Sequence, residues 1–246
     1  MVSEKYIVCD GPDGSGKSLF TEEAISWAEA SGKRTLHLGS FWKEHGRHPE
    51  PHELDAFDVL CLREPTDIGA GAVVRHELTK NGTPYTSKMV ADALSTYRVV
   101  LFYKVIEPAR KRGMTIFSDR SFASSIVFQP IMDDTIGFEG VLHLPGHQLF
   151  LEKPMTDLLV LLVEPKEAME RLGNRRDKVD DTVFEKEELI REHNARYQSD
   201  WFKKIFSDRG VRLHYIDTTP LLLEESRSAI RTYIESVCNS SPSERS

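Results

Sequence analysis

The sequence predicts an α/β protein, a parallel sheet of about five strands flanked by helices. Two observations predict it. Apolar runs short enough for buried strands alternate with segments of helical period, and a glycine-rich phosphate-binding pattern stands at the first strand-to-helix junction. No internal repeat or linker divides the chain, so residues 1–237 are expected to form one domain, followed by a flexible tail over 238–246.

The first strand is predicted at residues 6–9, where Tyr-Ile-Val-Cys runs into glycine, and a helix over 18–30 ends at Ser31-Gly32. A second strand is expected at 34–38. Residues 41–58 hold three histidines, two prolines and mixed charge without a clean period, and read as an inserted loop or short helix, with a plain surface loop the favoured expectation. Strands follow at 59–62 and 115–117, with the longest helical pattern, 88–107, between them; Ala93, Tyr97, Val100, Leu101 and Val105 form its apolar stripe. After a strand at 158–163 come a charged helix at 166–176 and a helix at 185–206. A last strand is predicted at 212–216 and a closing helix at 222–237.

Composition narrows the function. Lys and Arg number 32 against 39 Asp and Glu, a net charge of −7, which argues against a nucleic-acid surface but leaves room for a few arginines in a cleft. Cys9, Cys61 and Cys238 show no metal-ligand spacing and are expected as thiols in a reducing compartment. With no apolar signal core, and no stretch near the roughly 18 apolar residues that span a bilayer, a cytoplasmic protein with no membrane partner is expected.

Gly11-Pro12-Asp13-Gly14-Ser15-Gly16-Lys17-Ser18 meets the pattern G-x-x-x-x-G-K-[ST] in full. Gly11, Gly14 and Gly16 let the backbone wrap a phosphate, so that N–H groups, including that of Ser15, and a helix N-terminus face the anion. Lys17 brings a cation to the β- and γ-phosphates of ATP, and Ser18 offers a hydroxyl to Mg²⁺. Asp13 is awkward beside phosphates. It serves either an Asx-turn or an acceptor hydroxyl or a water on Mg²⁺.

Three further segments, taken with the loop, resemble the thymidylate kinase family. They are Arg63-Glu64-Pro65 continuing to Val74-Arg75, Pro108-Ala109 through Gly113 to Asp119-Arg120, and the stretch from Asp181 to Tyr197. The resemblance implies the three-layer P-loop kinase fold, an arginine-bearing lid over 166–185, ATP and Mg²⁺ as cofactors, and a homodimer. It implies that Arg98 and Arg120 clamp the acceptor monophosphate, joined by Arg63, which suits the bidentate fork of arginine. Asp119, at a strand end, would act on Mg²⁺ through water. Ser124, Ser125, Phe128 and Gln129 would line the base and sugar pocket, and Thr218 the adenine side. The phosphate loop carries no arginine at Gly14 or Ser15, so the catalytic cation is expected from Arg171, Arg175 or Arg176. The sequence departs from the family at Leu94, where an aromatic ring is usual; Tyr97, Tyr103 and Phe122 are the candidate replacements.

The expected reaction is therefore ATP-dependent phosphorylation of a deoxynucleoside monophosphate, dTMP first among them. A deoxynucleoside kinase is the alternative, since Asp119-Arg120-Ser121 also resembles that family's motif, although a neutral nucleoside needs no phosphate clamp. A P-loop ATPase or nucleotide sensor stands third, for want of a water-positioning glutamate beside Asp119.

Overall fold

In the computed structural model, described for residues 5–80, 82–132, 136–174 and 186–239, six parallel strands form one sheet in the order β2-β3-β4-β1-β5-β6. The strands are β1 (Lys5–Asp10), β2 (Thr35–His37), β3 (Val59–Arg63), β4 (Thr115–Asp119), β5 (Asp157–Leu162) and β6 (Arg212–Asp217). All six predicted strand segments are present, and the sheet of about five strands holds six, with β6 on the edge of β5 in register from Asp157↔Arg212 to Leu162↔Asp217.

Burial on both faces explains the apolar runs. Along β1, Tyr6 and Val8 face one hydrophobic cluster and Ile7 and Cys9 the other. Helices α1 (Lys17–Ala30) and α12 (Leu223–Asn239) cover the second face, where Leu19, Phe20, Ile230 and Ile234 pack. The first face carries α4 (Ser87–Leu101), α6 (Phe122–Met132), α8 (Pro145–Glu152) and α11 (Asp200–Ser207), with Leu94, Leu101, Phe122, Phe150 and Phe202. The remaining helices are α2 (Leu38–His45), α3 (Gly69–Val73), α5 (Glu107–Lys111), α7 (Gly137–Leu142), α9 (Pro165–Gly173) and α10 (Glu187–Gln198).

Four expectations are corrected. Residues 41–58 are not a surface loop: α2 and a 3₁₀ turn at Pro51–Ala56 bury Trp42 and Leu54, each worth on the order of 2 kcal/mol. Glu50 and Glu53 form a capping box, and Trp42 Nε1 donates to His48 Nδ1 at 3.2 Å. The long helix over 88–107 is α4, a π-helical turn at Phe102–Ile106 and α5 in succession. The segment 185–206 is two helices, interrupted at Ser199, whose extended backbone and side chain cap α11 at Phe202 N. Finally, α12 runs two residues into the expected tail, and Lys5 Nζ donates to Cys238 O. No helix among the described residues is long and apolar enough to cross a membrane.

Candidate active site

The carboxyl ends of β1, β3 and β4 are level: Asp119 lies in register with Cys9 on one side and Arg63 on the other. Ligands of open α/β sheets bind at this edge. Two site elements start here, at the ends of β1 and β4, and α4 with α6 and then α9 bring two more.

The first is the phosphate loop. Gly11 (φ 145°), Gly14 (φ 81°) and Gly16 (φ 95°) all have positive φ. A Cβ on Gly11 would stand 2.3 Å from Leu161 O, so this turn closes only with glycine against β5. Gly16 precedes α1 without a side-chain cap, which leaves the first-turn N–H groups of a 14-residue helix to an anion. Lys17 Nζ donates to Pro12 O at 2.6 Å and lies 3.6 Å from Asp13. Burial, and then the nearby Arg120, lower the pKa of Lys17 from its ordinary value. Ser18 is exposed at the loop's mouth, and Ser15 is buried below it.

The second is the end of β4. Arg120 adopts φ 71°, a conformation that costs a non-glycine residue energy, and its N–H donates to Cys9 O at 2.8 Å. The turn aims its guanidinium back over the phosphate loop. It donates to Asp13 Oδ1 and to Ser124 Oγ (3.2 Å), and stacks on Phe128 at 5.4 Å. Asp119 Oδ1 is buried with no partner among the described residues, and burial raises the Asp119 pKa.

Asp10 is a site residue that the sequence reading missed. Its Oδ1 accepts from Gly11 N (2.9 Å), Ser124 Oγ (2.6 Å) and Tyr197 Oη (2.7 Å), while Oδ2 is buried without a partner among the described residues. The available signal was a carboxylate ending an apolar strand just before the first loop glycine. Asp119 and Asp10 thus each keep one buried carboxylate oxygen without a partner among the described residues, which fits donors to a divalent cation held through water.

The third element is the wall built by α4 and α6. Arg98 is 2% exposed. Its guanidinium donates to Glu64 Oε2 (2.6 Å), Ser125 Oγ (2.7 Å), His147 Nε2 (2.8 Å) and Ser121 O (2.9 Å). His147 Nδ1 lies 2.6 Å from Val141 O and must donate to it, which fixes Nε2 as the acceptor for Arg98. Burial, and then Arg98, push the His147 pKa down to about 3. Arg98 thus stands inside the wall as a strut. Leu94 is buried beside it; Tyr97 is also buried, with its hydroxyl on Glu64 (2.6 Å). Phe122 is buried against Phe150 and Phe206, and Tyr103 is exposed, while Phe128 lies under the Arg120 guanidinium. Gln129 is buried, and its Oε1 has no partner among the described residues. At the rim, Asp67 accepts from Arg63 (2.9 Å) and pairs with the charge of Arg75, 3.0 Å away.

The fourth element is α9. Arg171 Nη2 donates to Thr218 O (2.7 Å), and Nη1 to Thr218 Oγ1 (3.1 Å) and Gly14 O (3.5 Å). Thr218 is buried, its hydroxyl 3.2 Å from Ser15 O. Arg171 therefore ties the phosphate loop to the turn after β6. Arg175 and Arg176, with the remainder of the expected lid to residue 185, lie outside the described residues.

A six-stranded parallel sheet whose first strand opens a full phosphate loop, faced by a second set of arginines, defines a P-loop nucleotide kinase. A family model described as thymidylate kinase matches residues 52–230. The chain belongs to the thymidylate kinase family, whose members are nucleoside monophosphate kinases. The matched span begins after the phosphate loop, so that loop's assignment stands on its own residues. A probable thymidylate kinase of Methanosphaera stadtmanae is 27% identical over 234 residues, covering 94% of this chain and 99% of that protein. One from Thermococcus onnurineus is 27% identical, covering 76% of this chain and 81% of its own. The thymidylate kinase of Caldicellulosiruptor saccharolyticus is 29% identical over 184 residues, 74% of this chain and 76% of that protein.

Proposed function

We propose that the protein transfers the γ-phosphoryl group of ATP to dTMP, giving dTDP and ADP. The observation that carries this is Arg120, a half-buried cation turned by a strained backbone over the phosphate loop, where it meets Asp13. Membership of a family of monophosphate kinases favours a monophosphate acceptor over the nucleoside of the alternative, for which Arg63 at the rim would be superfluous. Thymidylate kinase relatives supply the choice of dTMP.

In this mechanism Gly11, Gly14, Ser15 and Gly16 hold the ATP phosphates by backbone N–H groups, and Lys17 neutralises the β- and γ-oxygens. Thr218, bound through Arg171 to the loop, borders the adenine. Ser18 and Asp119 would hold Mg²⁺, which would supply positive charge to the ATP phosphates. Arg120 orients the acceptor phosphate, with Arg63 reaching it from the rim. An oxygen of that phosphate forms the bond to the γ-phosphorus as the bond to the β,γ-bridging oxygen breaks and ADP leaves. Asp13 accepts a hydrogen bond from the acceptor sugar. Ser124 and Ser125 act through Asp10 and Arg98, setting the pocket's walls, while Leu94, Phe128 and Gln129 lie against base and sugar. Arg175 and Arg176 are the candidates for charge stabilisation in the transition state; Arg171 is engaged with Thr218.

The enzyme would act in a reducing cytoplasm, as the buried thiols of Cys9 and Cys61 suit. A homodimer is supported by Met89 and Val100, exposed eleven residues apart on one face of α4. A panel of dTMP, dUMP, dCMP and dGMP with ATP·Mg²⁺, followed by ADP release, tests the substrate. A preference of tenfold or more for dTMP is expected, and a preferred purine would refute the base assignment.

A further inference from the structure

His193, on α10, is 1% exposed, and neither ring nitrogen has a hydrogen-bond partner among the described residues. A buried imidazole left in this state is uncommon, because each unmet polar group costs roughly 1–3 kcal/mol. Its position is informative. The ring packs edge-on against Phe128 with centroids 4.0 Å apart, and Phe128 in turn carries the Arg120 guanidinium. Asp13, Arg120 and Lys17 all act on it electrostatically, so α10 brings it to the acceptor side of the phosphate loop. One turn later on the same helix, Tyr197 donates to Asp10 at 2.7 Å, which fixes α10 against β1.

The chemistry selects the ligand. Burial first, with Arg120 and Lys17 also opposing a positive charge, pushes the His193 pKa down to about 3. A neutral ring beside two cations is poorly suited to holding a phosphate. It offers one donor and one acceptor, the complement of a hydroxyl, which has both. Beside it Asp13 offers a further acceptor, and Phe128 an apolar floor.

We infer that His193 is a specificity-determining residue that hydrogen-bonds the sugar 3′-hydroxyl of the acceptor, sharing it with Asp13. This rests on the proposed monophosphate kinase reaction. It makes the enzyme select against acceptors that lack the hydroxyl, since a site built to pair a hydroxyl rejects the analogue without it.

The test compares dTMP with its 3′-deoxy analogue in the wild type, His193→Phe and His193→Gln. Phenylalanine keeps the ring on Phe128 and removes both nitrogens; glutamine keeps a donor and an acceptor. His193→Phe should lose about 10- to 100-fold in kcat/KM on dTMP, with little change on the analogue and an ATP KM within about twofold. His193→Gln should recover most of the loss on dTMP and provides the comparison should the phenylalanine variant fold poorly. Equal losses on the two acceptors, or no loss on dTMP in a folded variant, would overturn the inference alone. A wild type inert towards every monophosphate would sink the proposed reaction and the inference with it.

Discussion

Arg120 and Asp13 form an ion pair that joins the end of β4 to the middle of the phosphate loop. The pair is only partly exposed, at 18% and 24%, and Arg120 also lies 3.9 Å from Asp10. In the proposed reaction Arg120 would offer its cation to the acceptor phosphate and Asp13 its carboxylate to the acceptor hydroxyl. Asp13→Asn keeps the loop's shape and removes the charge. It should raise the acceptor KM about tenfold or more and leave the ATP KM within about twofold, measured by steady-state kinetics. An equal rise for ATP would place Asp13 on the nucleotide-donor side.

Arg98 and Glu64 make a second pair, fully inside the wall. Removing one partner strands a buried charge, a loss of about 3–5 kcal/mol. For a chain of this length that lowers Tm by roughly 6–20 °C. Arg98→Ala should show this in a thermal melt without any nucleotide present. A melt within about 2 °C of wild type would mean that the guanidinium is open to solvent instead.

Lys17→Gln removes the cation from the β- and γ-phosphates while retaining a donor for Pro12 O. We expect kcat to fall by at least about 100-fold with an unchanged circular-dichroism spectrum. Residual activity above a tenth of wild type would contradict the role given to Lys17.

Acid should destabilise the fold before its carboxylates titrate. His147 and His193 have ordinary values of 6.5 but, inside the fold, take a proton only at about 3. Between those values the unfolded chain binds protons that the native state refuses, so stability falls as pH drops from 6.5. The slope is up to about 1.4 kcal/mol per pH unit for each histidine. Chemical denaturation at pH 7, 6 and 5 measures it. His147→Gln, whatever its own stability, should show a shallower slope than wild type.

Gly11→Ala tests the loop's closure against β5. A Cβ there meets Leu161 O at 2.3 Å in a backbone conformation that alanine disfavours. Loss of ATP binding or of soluble protein is expected; a variant with wild-type ATP affinity would mean that the loop is free to shift.

How far the sequence could be read follows from where each constraint acts. The apolar runs of β1, β3, β4 and β5 are buried on both faces, so local composition alone marks them. The phosphate loop is legible because its geometry demands glycine at Gly11, Gly14 and Gly16 whatever the rest of the chain does. Trp42 and Leu54 were not legible as core, because their burial is made by elements distant in sequence, and the charged residues around them mimic a loop. The breaks at Phe102 and Ser199 leave the apolar period nearly intact and so pass unseen. Asp10 and His193 escaped notice for a related reason: a single carboxylate or imidazole acquires meaning only when folding strips it of partners. Arg98 had the right type for a phosphate clamp, but Glu64 and His147, 34 and 49 residues away along the chain, place it in the wall.

The most direct test of the proposed reaction is product identification. Purified protein is incubated with γ-labelled ATP and Mg²⁺, with dTMP in one reaction and thymidine in the other, and the labelled products are separated by chromatography. Label should appear in dTDP with dTMP and nowhere beyond ATP and background phosphate with thymidine. Label in dTMP from thymidine, with none in dTDP, would contradict the monophosphate acceptor that Arg120 and Asp13 define.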